Sequence, residues 1–259
     1  MTTLIEMKQM ILQERKARTS IEALRSMAAM QTRPIPFLTT VGAAVALVGQ
    51  IRYQPPSDES QIPRYDPVAT AKRYAEAGVD AVAMFTDNNP TYDSAVDATL
   101  VNEAMQFHRT PFICQDYMLD EYHVVAARAT GASVVVLTSG IVPPDALRLL
   151  TSATQRNRMT AVVDVFDETQ LEAALAWSPQ VIGLSNNDPL STEINLDTVR
   201  RLRALVPKGV RVMISHPVND MDMVHEIADV GVDAVMMDEG LLHSEASVGM
   251  VREALLKAN

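Results

Sequence analysis

The chain has 259 residues, with 22 lysines and arginines against 32 aspartates and glutamates. The resulting isoelectric point, near 4.9, means that the surface should repel nucleic-acid phosphates and anionic lipid, so neither is an expected partner. A single cysteine excludes a disulfide within the chain. Charged residues interrupt the first 20 positions, unlike a signal peptide, and the apolar run at 41–49 is too short to span a bilayer. We therefore expect a cytoplasmic protein.

The first 40 residues precede the first strand-like run and predict one or two amphipathic helices. Apolar side chains recur there at helical spacing, at positions 4, 7 and 11 and again at 21, 24 and 27. We expect this segment to form a helical extension to the domain that follows.

A repeated pattern of helix, glycine and apolar strand runs along the rest of the chain. Gly78, Gly131 and Gly231 each stand between a helical stretch and an apolar run, where a left-handed residue closes a helix, and the word GVDAV occurs at both 78–82 and 231–235. Eight apolar runs have the length of strands: VALVGQI, DAVAMFT, PFICQDY, SVVVLTS, TAVVDVF, QVIGLSN, RVMISHP and AVMMDEG.

These eight runs define the predicted fold class. Near-continuous apolar strands are typical of parallel strands covered on both faces, and eight of them in roughly 200 residues favour an α/β fold of the (β/α)8, or TIM barrel, type over an open doubly wound sheet. No linker divides the chain, so we predict a helical extension over residues 1–40 and a single barrel domain over residues 41–259. In such barrels the active site lies at the carboxyl ends of the strands.

The predicted strand ends carry a ring of polar side chains. Any single member could instead cap a helix or bond within a loop. A whole ring is harder to explain in that way, because a buried polar group without a partner costs roughly 1–3 kcal/mol. Its members are Gln50, Arg52, Thr86, Asp87, Gln115, Asp116, Tyr117, Thr138, Ser139, Asp164, Ser185, Asn186, Asn187, Asp188, Ser215, His216, Asp238 and Glu239.

The strand-end motifs resemble those of the indole-3-glycerol phosphate synthases. QIRYQPPSDESQIPRYDP is similar to that family's first strand and loop, whose pattern reads E-I-K-x-x-S-P-S-K-G and later D-P. Further similarities follow in order at FTD, QDY, DVF, GLSNND and SHPV, and ERKARTSIEAL resembles the extra helix before that family's barrel. The resemblance covers essentially the whole chain and implies a small-molecule carbon–carbon lyase of the kind used in tryptophan biosynthesis.

The resemblance also identifies where the catalytic residues should lie. Members of that family use two lysines and two glutamates to close the indole ring of a phosphorylated anthranilate derivative, with loss of carbon dioxide and water. The corresponding residues here are Gln50, Arg52, Gln115 and Asp164. Glutamine does not titrate, and arginine, with a pKa above about 12, is a poor proton donor near neutral pH. We therefore expect Asp164 to be the proton acceptor and Arg52 to hold an anion or carboxylate.

The phosphate site implied by the resemblance is weakened. Pro217 replaces a glycine N–H, Asp238 and Glu239 replace a glycine and a serine, and the loop after the first strand loses its lysine. An acidic mouth favours a neutral or cationic ligand over a multiply phosphorylated one. The substrate-binding positions that we predict are Ser57, Tyr117, Ser185, Asn187, Ser215, His216, Asp238 and Glu239.

Metal and Schiff-base chemistry are not expected. Asp164, His216, Asp238 and Glu239 could converge on a divalent ion, but the chain has no H-x-H, H-x-x-x-H or cysteine cluster, so we predict no metal and no cofactor. A Schiff base needs a lysine at a strand end, and none of the five lysines is there. These are Lys8, Lys16, Lys72, Lys208 and Lys257.

Three functions stay open from the sequence. The first is an enzyme of this fold with altered chemistry, and the second is a protein that still performs the ring closure of the related synthases. The third is a non-catalytic small-molecule-binding or regulatory protein, since a fold does not fix a function.

Overall fold

Two helices precede a run of alternating strands and helices in this computed structural model, which describes residues 2–37, 44–53, 65–86, 94–185 and 195–256. Helices α1 and α2 span Thr2–Arg18 and Ile21–Met30. The strands are β1 Ala46–Ile51, β2 Ala81–Phe85, β3 Phe112–Gln115, β4 Val134–Thr138, β5 Thr160–Val165, β6 Val181–Leu184, β7 Arg211–Val218 and β8 Ala234–Met237. The helices after β1 to β7 are α3 Pro67–Ala77, α4 Ser94–His108, α5 Glu121–Ala129, α6 Pro144–Arg156, α7 Glu168–Leu175, α8 Leu196–Leu205 and α9 Met221–Ala228. A 3₁₀ helix, Glu239–Leu241, and α10, Glu245–Leu256, follow β8.

The eight strands close into one parallel barrel in which β1 pairs with both β2 and β8. All eight predicted strands are present, which confirms the (β/α)8 barrel. Gly78, Gly131 and Gly231 have φ angles of 92°, 95° and 74°, the left-handed conformation predicted for them at helix ends.

Apolar side chains from alternate strand residues fill the interior of the barrel. This inner layer consists of Phe37, from the segment before β1, and of the strand residues Ala46, Val48, Ala81, Ala83, Ile113, Val134, Val136, Val162, Val181, Met213, Ala234 and Met236. Gln50, Gln115 and Asp164 each lie two residues beyond a member of this inner layer and therefore face the same way. The pleat thus directs three polar side chains to the carboxyl-terminal mouth of the barrel.

The N-terminal helices pack on α5, and their buried faces differ from the predicted ones. Helix α1 buries Lys8 and Leu12, whereas Met7 is 47% exposed, and α2 buries Leu24 while Met27 is 45% exposed. The prediction was wrong in α1 because a lysine, rather than an apolar residue, faces the barrel there. The predicted domain boundary at residues 40 and 41 stays a prediction, since residues 38–43 lie outside the described part of the chain.

None of the described helices combines the length and the apolar character needed to cross a membrane.

Candidate active site

A cavity of about 150 Å³ opens at the carboxyl ends of the strands, where the sequence predicts the site. Side chains at the ends of seven strands, β1 to β7, line it, and most of them are polar or aromatic. They belong to Gln50, Arg52, Phe85, Gln115, Asp116, Tyr117, Val136, Thr138, Asp164, Phe166, Ser185, Ser215, His216 and Pro217. All four predicted catalytic residues are therefore brought together.

Two buried amides join β1 to β3 across the cavity floor. The Nε2 of Gln50 donates to the Oε1 of Gln115 at 2.7 Å. The backbone carbonyl of Gln50 in turn accepts from the hydroxyl of Tyr74 at 3.1 Å. Because neither amide titrates, this pair can orient a ligand but cannot transfer a proton.

Asp164, near the end of β5, is a buried carboxyl that lines the cavity. Its side chain is only 7% exposed, and its Oδ1 has no hydrogen-bond partner among the described residues. Burial raises the pKa of this carboxyl to about 7, and a hydrogen bond with Ser215 opposes that shift. Both protonation states of Asp164 are therefore populated near neutral pH.

Gly183 on the neighbouring strand β6 makes room for this carboxyl. It stands beside Asp164 in the sheet register, and a Cβ at Gly183 would lie 1.8 Å from the Oδ1 of Asp164 and 3.0 Å from the Oγ of Ser215. A side chain at this position would displace the carboxyl, so the placement of Asp164 depends on the glycine.

Aromatic rings form one wall of the cavity, with a cation at each end. The guanidinium of Arg52 lies 5.0 Å from the ring centroid of Phe85, which meets the ring of Tyr117 edge to face at 5.8 Å. The Nζ of Lys8 lies 5.5 Å from the centroid of Tyr117. This wall suits a planar ring that carries a negative group near Arg52.

Lys8 is a residue that sequence reasoning missed. Helix α1 buries it to 6% exposure, and burial lowers the pKa of its ammonium while the carboxylate of Asp116 opposes that effect. The ion pair of Arg15 with Asp116, at 3.7 Å, brings α1 to the same strand end. A search of strand ends cannot find a lysine that a helix supplies. The available signal was its spacing of four residues from Leu12, on the buried face of that helix.

The predicted substrate-binding residues divide into three groups. Tyr117, Ser185, Ser215 and His216 line the cavity, and Ser57 and Asn187 lie outside the described residues. Asp238 and Glu239 do not line it, and their binding roles, like those of the others, stay predictions.

Both acidic residues after β8 already have partners in the protein. The Oδ1 of Asp238 accepts from the N–H of Gly240 at 3.0 Å and begins the 3₁₀ helix. Glu239 forms an ion pair with Arg73 of α3. Within the described part of the chain, no group of three or more His, Cys, Asp or Glu side chains is placed to hold a metal ion.

A closed parallel barrel with polar side chains at its carboxyl-terminal mouth defines the class, a (β/α)8 barrel protein with a mouth site. Solved structures of this class share the fold. A thiamine phosphate pyrophosphorylase from Pyrococcus furiosus superposes with a TM-score of 0.60 at 16% identity, covering 82% of this chain and 97% of that one. An N-acetylmannosamine-6-phosphate 2-epimerase from Clostridium perfringens gives 0.62 at 13% identity, covering 84% and 95%.

The sequence narrows the class to one family. The family model for indole-3-glycerol phosphate synthase matches residues 1–254, so the chain belongs to this family. Proteins named indole-3-glycerol phosphate synthase are similar over most of their length. One from Nocardioides sp. is 30% identical over 93% of this chain and 92% of its own, and one from Roseiflexus castenholzii is 29% identical over 95% and 94%.

Proposed function

We propose that this protein is a small-molecule lyase of the ring-closing type, with chemistry altered from that of its family and with Asp164 as the proton-transfer residue. The observation that carries the proposal is the buried carboxyl of Asp164, whose Oδ1 has no partner among the described residues and borders the mouth cavity. An unpaired buried polar atom costs roughly 1–3 kcal/mol. A side chain kept at that cost, in the cavity at the barrel mouth, is a candidate for chemistry rather than for stability.

The protonation behaviour of Asp164 fits this role. A general acid or base works best when its pKa lies near the working pH, and burial brings the pKa of this carboxyl to about 7. In its ionised form Asp164 accepts a proton from the ligand, and in its neutral form it returns one. If it acts as the base, kcat/KM rises with pH through about 7.

The other mouth residues bind and orient. Arg52 offers a fixed cation above Phe85 for one carboxylate, and the bonded amides of Gln50 and Gln115 hold polar atoms of the ligand. Pro217 supplies no N–H to the mouth. These features support a ring-bearing ligand with one carboxylate at most, in preference to a multiply phosphorylated ligand.

The test is a turnover assay with the full chain at high enzyme concentration. Ring-bearing carboxylates and the phosphorylated anthranilate derivative are each incubated with the protein and followed by mass spectrometry. We expect Asp164→Asn to lower turnover by about 100-fold or more while ligand binding is kept. Asp145→Asn, which neutralises an exposed carboxylate on α6, serves as the matched control. Full turnover by Asp164→Asn would contradict the proposed role.

The relatives' names favour a second candidate, which is that the protein still forms indole-3-glycerol phosphate. Rapid formation of that product by the unmodified chain would establish this candidate and reject altered chemistry. If the product is absent, the triple variant Gln50→Glu, Arg52→Lys and Gln115→Lys tests whether the substituted side chains are the block. A ligand recovered unchanged from the mouth would instead favour a binding protein.

A further inference from the structure

A second, larger cavity lies at the opposite end of the barrel from the mouth. It has a volume of about 620 Å³ and lies among α2, the segment 31–34, α5 and the residues between α6 and β5. Six charged side chains line it: Arg25, Arg33, Arg128, Arg156, Arg158 and Glu121. We call this cavity the arginine cleft.

The arginine cleft is strongly positive on a chain whose formal net charge is -10. Its five guanidinium groups face one carboxylate, which leaves an excess of four positive charges. The single carboxylate is already shared, because the Oε1 of Glu121 lies 3.4 Å from Arg156 and 3.6 Å from Arg25. Like charges gathered in this way repel one another, and a bound anion would relieve the repulsion.

Arg128 gives the cleft a buried charge in addition to its exposed ones. It is 6% exposed, and its guanidinium donates to the carbonyls of Ala132, at 3.5 Å, and Gln31, at 3.4 Å. Burial lowers the pKa of Arg128, and the neighbouring Arg158 lowers it further. A charge held at the floor of a cavity is screened less by salt than an exposed one, so it attracts an anion more strongly.

Arg33 and Arg158 are the exposed arms of the cleft. Arg158 has a φ of 61°, a conformation that is uncommon for a residue other than glycine. It lies two residues after the end of α6 and two before β5, while Arg33 lies in the segment that crosses from α2 towards the barrel. Two chain segments far apart in sequence therefore present guanidinium groups to the same cavity.

We propose that the arginine cleft is a binding site for a polyphosphate group, carried by a nucleoside triphosphate or by inorganic polyphosphate. Planar guanidinium groups bind phosphate oxygens in pairs, and several can share one polyphosphate. A single phosphate monoester carries about −1.5 to −2 charges at pH 7 and would leave about half of the excess uncompensated. The volume of the cleft falls within the roughly 300–1,000 Å³ of small-molecule sites.

The test is calorimetric titration of the full chain with sodium tripolyphosphate at fixed ionic strength. We expect saturable binding at one site, and we expect Arg33→Gln and Arg158→Asn each to weaken it by about tenfold. Asparagine is chosen at 158 because it tolerates a positive φ. The matched control is Arg109→Asn. Arg109 is also exposed, precedes a strand and has a positive φ, of 55°, but it lies outside the cleft.

Each outcome decides the proposal. Loss of affinity in both cleft variants, with affinity kept in Arg109→Asn, supports it. A parallel titration with a nucleoside triphosphate then assigns the source. If the nucleoside triphosphate binds more tightly than tripolyphosphate, the natural ligand is a nucleotide. If it binds equally or more weakly, the natural ligand is inorganic polyphosphate. Absence of saturable binding, unchanged affinity in both cleft variants, or an equal loss in Arg109→Asn overturns the proposal. Circular dichroism checks that each variant is folded, and Arg33→Gln is free of the backbone constraint at position 158.

Discussion

The two ends of the barrel hold their ionisable groups by different physics. At the mouth, the buried carboxyl of Asp164 lines the same cavity as the amides of Gln50 and Gln115, and the dominant energy is the loss of its hydration. At the arginine cleft, four exposed guanidinium groups surround the buried one of Arg128, so repulsion between like charges adds to the loss of its hydration. The energy lost by burying a carboxyl depends on pH, because only the ionised form is strongly hydrated, and it depends little on salt. Repulsion between exposed charges, in contrast, is weakened by salt. The free energy of unfolding should therefore depend on pH through the mouth and on salt concentration through the arginine cleft.

The largest expected effect is at the mouth, in the variant Asp164→Asn. The pKa of Asp164 is about 7 in the folded protein and 3.8 as the reference for the unfolded chain. Between these values the unfolded chain releases the proton while the folded protein keeps it, so stability falls as pH rises, by about 1.4 kcal/mol per unit. At pH 8 the asparagine variant should therefore be more stable than the unmodified chain by up to about 4 kcal/mol, and this advantage should vanish near pH 4.

Urea unfolding of both proteins from pH 4 to pH 8, at two salt concentrations, measures this difference. Asp145→Asn, which removes an exposed carboxylate on α6, is the matched control. An advantage of Asp164→Asn that is constant across pH, or that disappears in high salt, would contradict desolvation as the dominant energy at the mouth.

The next effect tests the space around the same carboxyl. Gly183→Ala would place a methyl carbon 1.8 Å from the present position of the Oδ1 of Asp164, which is too close for two unbonded atoms. The substitution should destabilise the protein by about 3 kcal/mol. Gly249→Ala, in α10, has no atom within 4 Å of the new Cβ and should be neutral or stabilising by about 0.5 kcal/mol or more. Thermal unfolding compares the two variants, and equal melting temperatures would show that the carboxyl can move aside.

A smaller effect concerns the amide pair of the cavity floor. Gln50→Leu or Gln115→Leu alone leaves one buried amide unpaired and should cost about 1 to 2 kcal/mol. The double variant should cost less than the sum of the two, because neither amide is then left without its partner. Additive losses in urea unfolding would mean that the hydrogen bond between the amides contributes nothing.

The smallest effect belongs to the arginine cleft. Arg158→Asn removes a charge that repels Arg128 and should stabilise the unliganded protein by a few tenths of a kcal/mol at low salt, and by less at high salt. Unfolding curves at two ionic strengths measure it. A gain that survives 1 M salt would contradict repulsion as its source.

The fold and the mouth were predictable because both depend on short-range patterns. Eight apolar runs define eight strands, and the period of two along a strand carries Gln50, Gln115 and Asp164 to one face. The partner of Glu239 was not predictable, because it requires the position of Arg73 on another helix. The pKa of Asp164 was equally hidden, since it depends on burial by neighbouring strands.

The arginine cleft shows the limit of such patterns most clearly. Its charges come from α2, from the segment after it, from α5 and from the residues around the end of α6. No spacing within one segment relates these positions. The charges of α2 and α5 meet because Leu24 and Ala28 of α2 share an apolar cluster with Val125 and Ala129 of α5. Apolar packing between distant segments therefore forms a polar site that no local sequence motif predicts.

Tyr122 links the helix that borders the mouth, α1, to the helix that borders the arginine cleft, α5. Its hydroxyl lies 3.0 Å from the carbonyl oxygens of both Arg15 and Thr19 and shares its one proton between them, at the end of the helix that carries Lys8 to the mouth. Tyr122 belongs to α5, and the same helix carries Arg128 on the floor of the arginine cleft. A movement of α1 away from the mouth must break this link to α5, the helix that also carries Arg128.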